Sequence, residues 1–348
     1  MSGDVSPPTA PYVPAAGWAA PVPAGRDVLA RAIAGVRPRG DARRLAEAGA
    51  LLVMVAWAAN FVVVKGIIAV VPPVGFAFVR FLLAGLVLLA ILRLREGSVS
   101  IPRALALRVA LLGALGFGVY QVLWATALSS TTAGTSALIV GTTPIWTALV
   151  AVAMRTEMAH RARLAGAAIG FGGVAIVVAA RGLDLGGGGV GDLLTLVAAI
   201  SWGTYLALSA PLLASLSPLR LTAWAILAGS AVMAGPGLVQ LVSAGPAWIE
   251  PGTLVAFAYA GIVAGGLANV LVFRAIALVG PSRVANLQLL VPALTVLFAA
   301  ATLGEPILAG QVGGGLVIVA GILVSRRAPL GPPPGRRPTP EPPPLLEA

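Results

Sequence analysis

Residues 48–71 read AGALLVMVAWAANFVVVKGIIAVV, an apolar run with a single charged side chain, Lys65. A helix of about 20 apolar residues is long enough to cross the roughly 30 Å hydrocarbon core of a bilayer. Pro72 and Pro73 follow, and a second apolar run starts directly behind them. This stretch therefore predicts two successive membrane-spanning helices.

Similar runs recur along most of the chain and predict an all-α integral membrane protein with ten transmembrane helices. The seventh run contains Gly235, Pro236 and Gly237, which commonly interrupt a helix. The predicted spans cover residues 48–71, 74–92, 109–128, 133–154, 164–180, 193–213, 219–242, 254–278, 284–303 and 307–324.

The composition agrees with the bilayer as the solvent of this chain. Of its 348 residues, 58% are hydrophobic and 10% are charged, whereas about a quarter of the residues are charged in a soluble domain. The net charge is +11, but the basic residues cluster between apolar runs, which is typical of membrane loops and argues against nucleic-acid binding. Since the chain has no cysteine and one histidine, we predict neither a metal nor another cofactor.

The positions of the arginines predict the topology. Arginines follow the even-numbered spans, for example Arg93 and Arg155, whereas the connections after the odd-numbered spans hold only Arg181. By the positive-inside rule, both termini face the cytoplasm, here of a bacterial inner membrane. Residues 1–46 are predicted to be a disordered Pro- and Ala-rich tail, and residues 327–348 a second Pro-rich tail.

The two halves of the chain match each other at a nearly constant spacing, as two five-helix repeats at residues 47–182 and 190–326. An odd number of spans in each repeat inserts the second copy upside down, which predicts inverted repeats. The matched pairs are Trp57 with Trp202, Pro73 with Pro218, Ala127 with Ala277, Leu128 with Leu278, Pro144 with Pro292, Thr147 with Thr295, Glu157 with Glu305, and Gly166 with Gly314.

These stretches resemble EamA-type members of the drug/metabolite transporter superfamily over about residues 48–325. The first repeat carries WAANFVVVK (57–65), PPVGFAFVRFLLAG (72–85), ALSSTTAGTSALIVGTTPIWTALVA (127–151), Glu157 and LAGAAIGFGG (164–173). The second carries ISWGTYLALSA (200–210), ALVGPSRVANLQLLVPALTVLFAA (277–300), Glu305 and GGGLVIVAGILVS (313–325).

The resemblance implies a central cavity between the repeats and alternating access for amino acids or other small metabolites. Arg80 has no basic counterpart in the second repeat, where Ala225 falls near its register. No acidic residue lies deep in a predicted span, unlike in small multidrug members with a buried glutamate, which argues against proton-coupled efflux of cationic drugs.

Two cations are candidates for binding an anionic solute. Lys65 near the end of the first span and Arg80 near the start of the second lie roughly 9 Å below the outer boundary, given 1.5 Å per residue. A cation at that depth is costly, so a solute carboxylate or phosphate is a natural partner. The alternatives are snorkelling to the headgroups and structural contacts with backbone carbonyls.

Pro144 and Pro292 are predicted to interrupt the fourth and ninth spans at matched positions. Each would free the carbonyl four residues earlier, at Val140 and Gln288. Paired interruptions of this kind point to a site at the membrane midplane. A packing kink or plain hinge is the competing interpretation.

Polar and aromatic side chains inside the spans are further candidates to contact the solute, because buried amides in lipid need partners. Each of them could instead tie two helices together. They are Asn60, Tyr120, Gln121, Trp124, Trp202, Tyr205, Asn269, Asn286 and Gln288.

Other charged and small residues are interpreted as structural. Glu157 and Glu305 each precede a helix, where an acid favours the helix dipole. The glycine steps at 166–170 and 310–314 allow close helix packing.

The sequence thus predicts a secondary transporter that exports a small anionic or zwitterionic solute across the lipid bilayer. A channel or a structural membrane protein is the main alternative. An intramembrane enzyme has less support, because the motifs of metalloproteases, serine hydrolases and nucleotide-binding loops are absent. Both a monomer and a homodimer fit the sequence.

Overall fold

The computed structural model describes residues 40–154, 160–180, 188–279 and 287–327. These residues form helices and turns, with no strand among them. Eight helical stretches in this part of the chain are long and apolar enough to cross a membrane, and two more are shorter apolar helices. The helices are α1 Gly40–Ile67, α2 Pro73–Glu96, α3 Arg103–Ala127, α4 Ala133–Ala153, α5 Arg161–Ala179, α6 Gly188–Ser209, α7 Pro218–Ala244, α8 251–279, α9 Leu290–Leu303 and α10 Ala309–Ser325.

These helices overlap all the predicted apolar runs, but one predicted boundary is wrong. Helix α1 begins at Gly40, so the end of the tail predicted at residues 1–46 is helical. The sequence there, DARRLAEA, consists mostly of strong helix formers and extends the apolar helix in the N-terminal direction. The rest of that tail and residues 328–348 lie outside the described residues.

Helix α7 continues through Gly235, Pro236 and Gly237 without a break. Membrane helices tolerate proline where neighbouring groups compensate for the lost backbone hydrogen bond. Gly237 lets α7 pack closely on α2, because a β-carbon added there would lie 2.8 Å from the β-carbon of Phe78. The seventh span is therefore not interrupted here, and Gly237 instead forms part of the contact between α7 and α2.

Helices α3 and α8 each contain a π-helical segment, at Ala114–Val119 and at Tyr259–Leu267. Each packs through a glycine against the backbone of a helix from the other half of the chain. A β-carbon added to Gly113 would lie 2.3 Å from the carbonyl oxygen of Ala225, and one added to Gly261 would lie 2.3 Å from that of Arg80. Arg80 and Ala225 thus occupy equivalent packing positions.

Helix α4 is discontinuous, with segments Ala133–Val140 and Thr143–Ala153 separated by a turn. Helix α9 likewise begins directly after a turn at Leu289. Pro144 and Pro292 lie in the first turn of the segments that follow, where proline is well tolerated. The fourth and ninth spans are thus interrupted next to these prolines, as the sequence predicts, and each proline lies just after the break. The Val140 carbonyl accepts a hydrogen bond from Thr143 Oγ1 at 2.6 Å.

Helices α5 and α10 pack through glycines, as the sequence predicts. A β-carbon added to Gly166 would lie 2.5 Å from the carbonyl oxygen of Gly321, and one added to Gly173 would lie 2.7 Å from that of Gly314. The other extensive pair is α2 with α7. Helix α1 contacts α8 and α9, and α6 contacts α3 and α4 in the corresponding way.

Glu305 stabilises a different helix from the one expected. Its carboxylate accepts hydrogen bonds from the backbone N–H groups of Ala133 at 2.8 Å and Gly134 at 3.1 Å, at the start of α4 rather than of α10. A carboxylate that accepts these first N–H groups satisfies donors without partners inside the helix. Its predicted counterpart, Glu157, lies outside the described residues.

Candidate functional site

A cavity of about 140 Å³ lies at the centre of the bundle, between α1, α2, α3, α4, α6, α8 and α9. One buried water needs roughly 10–15 Å³ on this measure, so the cavity is large enough for a small solute. The sequence-predicted residues that line it are Asn60, Arg80, Tyr120, Gln121, Trp124, Pro144, Trp202, Asn269, Gln288 and Pro292.

Arg80 is the charged residue in the lining of this cavity. Only 1% of its surface is exposed. Its Nη2 donates a hydrogen bond to Gln121 Oε1 at 2.6 Å, and its Nη1 donates to Asn60 Oδ1 at 3.4 Å. Its Nε has no acceptor. Among the described residues, no carboxylate forms an ion pair with Arg80, so its charge is solvated only by amide dipoles and aromatic rings.

Aromatic rings surround the guanidinium group. Its central carbon lies 4.6 Å from the ring centre of Phe81, 5.3 Å from that of Phe76 and 5.5 Å from that of Trp124. Ring faces attract cations, and the attraction is stronger where water is excluded. These contacts hold Arg80 in place without neutralising it, so an anion can still pair with it.

A second group of aromatic rings adjoins the first and continues the lining. Tyr120 lies 5.2 Å from Trp202 between ring centres, and Phe117 lies 5.5 Å from Trp202. The lining residues that the sequence does not single out include Phe61, Phe81 and Phe117, because a phenylalanine in an apolar span gives no signal that separates cavity from core.

Tyr205 was predicted to contact the solute, but it does not line the cavity. Its ring packs against Trp202 at 5.0 Å and Phe117 at 5.3 Å between ring centres. It also fills the space beside Gly116, where an added β-carbon would lie 2.3 Å from the tyrosine ring. Tyr205 therefore supports the cavity wall from behind.

Lys65 also lies away from the cavity. Its Nζ donates hydrogen bonds to the carbonyl oxygens of Leu128 at 2.5 Å and Thr131 at 2.7 Å, just past the end of α3. Thr131 Oγ1 in turn donates to Asp192 Oδ1. Carbonyls at a helix C-terminus favour a cation, which accounts for this position. The structural alternative for Lys65 thus fits the geometry better than a direct solute contact.

The polar side chains of the cavity differ in whether they already have hydrogen-bond partners within the protein. Asn269 Nδ2 donates to the carbonyl of Gly265 at 2.7 Å within its own helix. Trp57 Nε1 bonds the carbonyl of Ala264 at 3.0 Å, in the π-helical part of α8. Gln288 lines the cavity, whereas Asn286 lies outside the described residues.

The lining can therefore bind one anionic group in aromatic surroundings. In the part of the chain that the structure describes, it contains no aspartate or glutamate that would neutralise Arg80 or pair with a second cation. Within the described ranges, no group of three or more histidine, aspartate or glutamate side chains is placed to hold a metal. A carboxylate attached to an apolar or flat body matches these walls in charge and polarity.

Comparison with known proteins gives relatives of similar length. The chain is 29% identical over 283 residues to a probable terminal-alkyne amino-acid exporter of Streptantibioticus cattleyicolor, covering 80% of this chain and 92% of that protein. It is 27% identical over 292 residues to a probable amino-acid metabolite efflux pump of Salmonella typhimurium, covering 79% and 93%.

A crystal structure of another protein shares the fold with a TM-score of 0.59, at 20% identity, over 81% of this chain and 98% of that one. The sequence profile of the EamA-like transporter family matches residues 44–179 and 189–327. With most of its length matched, this chain belongs to the EamA-like transporter family.

Proposed function

We propose that the protein is a secondary transporter that exports small anionic or zwitterionic metabolites, such as amino acids, from the cytoplasm. The observation that carries this proposal is Arg80, which is buried in the central cavity with no carboxylate partner among the described residues. A buried cation without an ion pair costs free energy in a membrane protein. Pairing with a solute anion would offset this cost and give the charge a function. The amino-acid exporter and efflux pump named above support this solute class.

The proposed mechanism is alternating access between two inverted five-helix repeats at residues 47–182 and 190–326. Supporting observations are the matched π-helical turns in α3 and α8 and the discontinuities in α4 and α9. The equivalent contacts of α1 with α8 and α9, and of α6 with α3 and α4, point to the same symmetry. Rocking of one repeat against the other would expose the cavity to each side in turn.

Counterflow in proteoliposomes tests this function. Vesicles are loaded with unlabelled leucine, phenylalanine or glutamate, and uptake of the same labelled amino acid is followed over time. We expect a transient, saturable accumulation for at least one of these probes, with none in protein-free vesicles. A channel would give flux without saturation or overshoot, and an enzyme would give a new product without net movement. Either result would overturn the proposal.

Engineered cysteines test the topology, because the chain has none of its own. In a protein with both termini in the cytoplasm, Ser98→Cys between α2 and α3 should face the cytoplasm. Glu250→Cys between α7 and α8 should face the outside. Both positions are exposed. We expect a membrane-impermeant maleimide added to intact spheroplasts to label Glu250→Cys and to reach Ser98→Cys only after lysis. Labelling of both from the same side would contradict the inverted arrangement.

A further inference from the structure

The aromatic rings of the central cavity form a continuous row that starts at Arg80. The guanidinium carbon lies 5.5 Å from the ring centre of Trp124. The ring of Tyr120 is nearly parallel to that of Trp124, at 15° and 6.2 Å between centres, and Trp202 follows at 31° and 5.2 Å from Tyr120. All four residues line the cavity. A solute whose carboxylate pairs with Arg80 therefore has its body beside this row, where a flat ring can stack.

A positively charged group on the solute would meet no opposite charge in this cavity. Among the described residues of the lining, Arg80 is the only charged one. The side-chain oxygens of Asn60 and Gln121 accept hydrogen bonds from its guanidinium group. Gln288 also lines the cavity, but its amide is neutral and offers one oxygen to the three N–H donors of an ammonium group. An ammonium group beside the solute carboxylate would in addition lie close to the guanidinium group and be repelled by it.

Backbone carbonyls at the irregular parts of the lining already have donors within the protein. In the π-helical segment of α8, the Ala264 carbonyl accepts a hydrogen bond from Trp57 Nε1 at 3.0 Å. The next carbonyl, of Gly265, accepts from Asn269 Nδ2 at 2.7 Å. At the break in α4, the Val140 carbonyl accepts from a threonine hydroxyl at 2.6 Å. Carbonyls freed from regular helical pairing are the usual partners of a cation inside a transporter, and here they are engaged.

We propose that the cavity selects monocarboxylates that carry a flat ring and no ammonium group over amino acids with the same ring. This inference rests on the proposed function and narrows its solute class. A monoanion paired with Arg80 leaves the occupied cavity neutral, whereas a zwitterion leaves it with one positive charge. The ammonium group of an amino acid would also lose its water shell without gaining a carboxylate partner, and burying a charge in this way costs free energy.

Three ligands that share one ring and one chain length test this inference. Full-length protein in lipid nanodiscs is titrated calorimetrically at neutral pH with 3-phenylpropionate, L-3-phenyllactate and L-phenylalanine, which carry hydrogen, hydroxyl and ammonium at the α-carbon. Phenyllactate is the control for size, because its hydroxyl is uncharged and similar in volume to the ammonium group. We expect phenyllactate to bind within about threefold of phenylpropionate, and phenylalanine at least about tenfold more weakly than either.

The outcomes separate this inference from the proposed function. Equal affinities for phenylalanine and phenyllactate, whether tight or weak, would show that charge does not discriminate between them. That result would overturn the inference and leave the proposed function standing. No binding of any of the three acids, together with no counterflow of amino acids, would defeat both.

A carboxylate placed in the lining should reverse the preference. Gln288→Glu adds a negative charge that can pair with the ammonium group, so it should raise the affinity for phenylalanine relative to phenylpropionate by at least about tenfold. Gln288→Met has a similar length without the charge and should keep the order of affinities of the unmodified protein. A Gln288→Glu protein that favours phenylalanine no more than Gln288→Met does would contradict the inference.

Discussion

Replacing Arg80 with glutamine is expected to reduce carboxylate affinity and saturable flux by at least about thirtyfold, with the protein still folded in the membrane. Loss of one partner from a desolvated charge pair costs about 2–5 kcal/mol, and each 1.4 kcal/mol is a factor of about ten in binding. Glutamine can still bond the amides of Asn60 and Gln121, which now face Arg80. The substitution therefore removes the charge, and the glutamine side chain can replace the hydrogen bonds that Arg80 makes.

The stability of this variant distinguishes a binding role from a structural one. Arg80 is 1% exposed and its Nε has no acceptor, so its burial without an ion pair lowers the stability of the empty protein. We expect the melting temperature of Arg80→Gln in detergent to equal or exceed that of the unmodified protein while flux is lost. A melting temperature that falls together with flux would mean that Arg80 only supports the fold.

Two further variants sharpen the comparison. Arg80→Lys keeps the charge but not the planar fork of donors, so it should recover part of the carboxylate affinity. Arg274→Gln removes a charge from an exposed arginine of α8 that does not line the cavity, and it should leave flux unchanged. Unchanged flux in Arg80→Gln would remove this residue from the solute site.

The sequence predicts the helices well because each apolar run carries its own signal of length and composition. It also singles out Arg80, because a cation deep in an apolar run is conspicuous. Depth alone does not tell which way a side chain points around its helix. Lys65 was predicted at the same depth, but it turns toward the carbonyls of Leu128 and Thr131. Those carbonyls belong to the segment after α3, so this contact exists only because α1 packs against that segment in the folded protein.

Other features depend on contacts between distant parts of the chain and leave no local pattern. Tyr205 is three residues after Trp202, but only Trp202 lines the cavity because Tyr205 packs beside Gly116 of α3. Glu305 precedes α10 in sequence but binds the first N–H groups of α4. The π-helical turns likewise have no signature in composition, although the glycines that accompany them are visible in the sequence.

Gly113→Leu and Gly261→Leu are each expected to abolish most folded protein. Added β-carbons would lie 2.3 Å from the carbonyl oxygens of Ala225 and Arg80, respectively, and these backbone atoms cannot rotate away as a flexible side chain can. Overpacking a well-packed interior typically destabilises the folded state by about 1–3 kcal/mol. A clash between the new side chain and the rigid backbone of the facing helix should exceed that range. The measurement is the monodisperse fraction recovered from detergent after heating. Gly66→Leu and Gly252→Leu, which have open space at the β-carbon, should be neutral or slightly stabilising because leucine favours helix over glycine.

The smaller substitutions Gly113→Ala and Gly261→Ala separate the role of a close helix contact from the role of the charge on Arg80. Both should destabilise the protein to a similar extent, because the two glycines make equivalent contacts with α7 and α2. Only Gly261→Ala pushes on the backbone of Arg80, so only this variant should also weaken carboxylate binding in the folded fraction. Gly113→Ala displaces Ala225, which does not line the cavity, and should keep the affinity of the unmodified protein. Equal losses of affinity in both variants would show that the binding charge is not confined to one half of the chain.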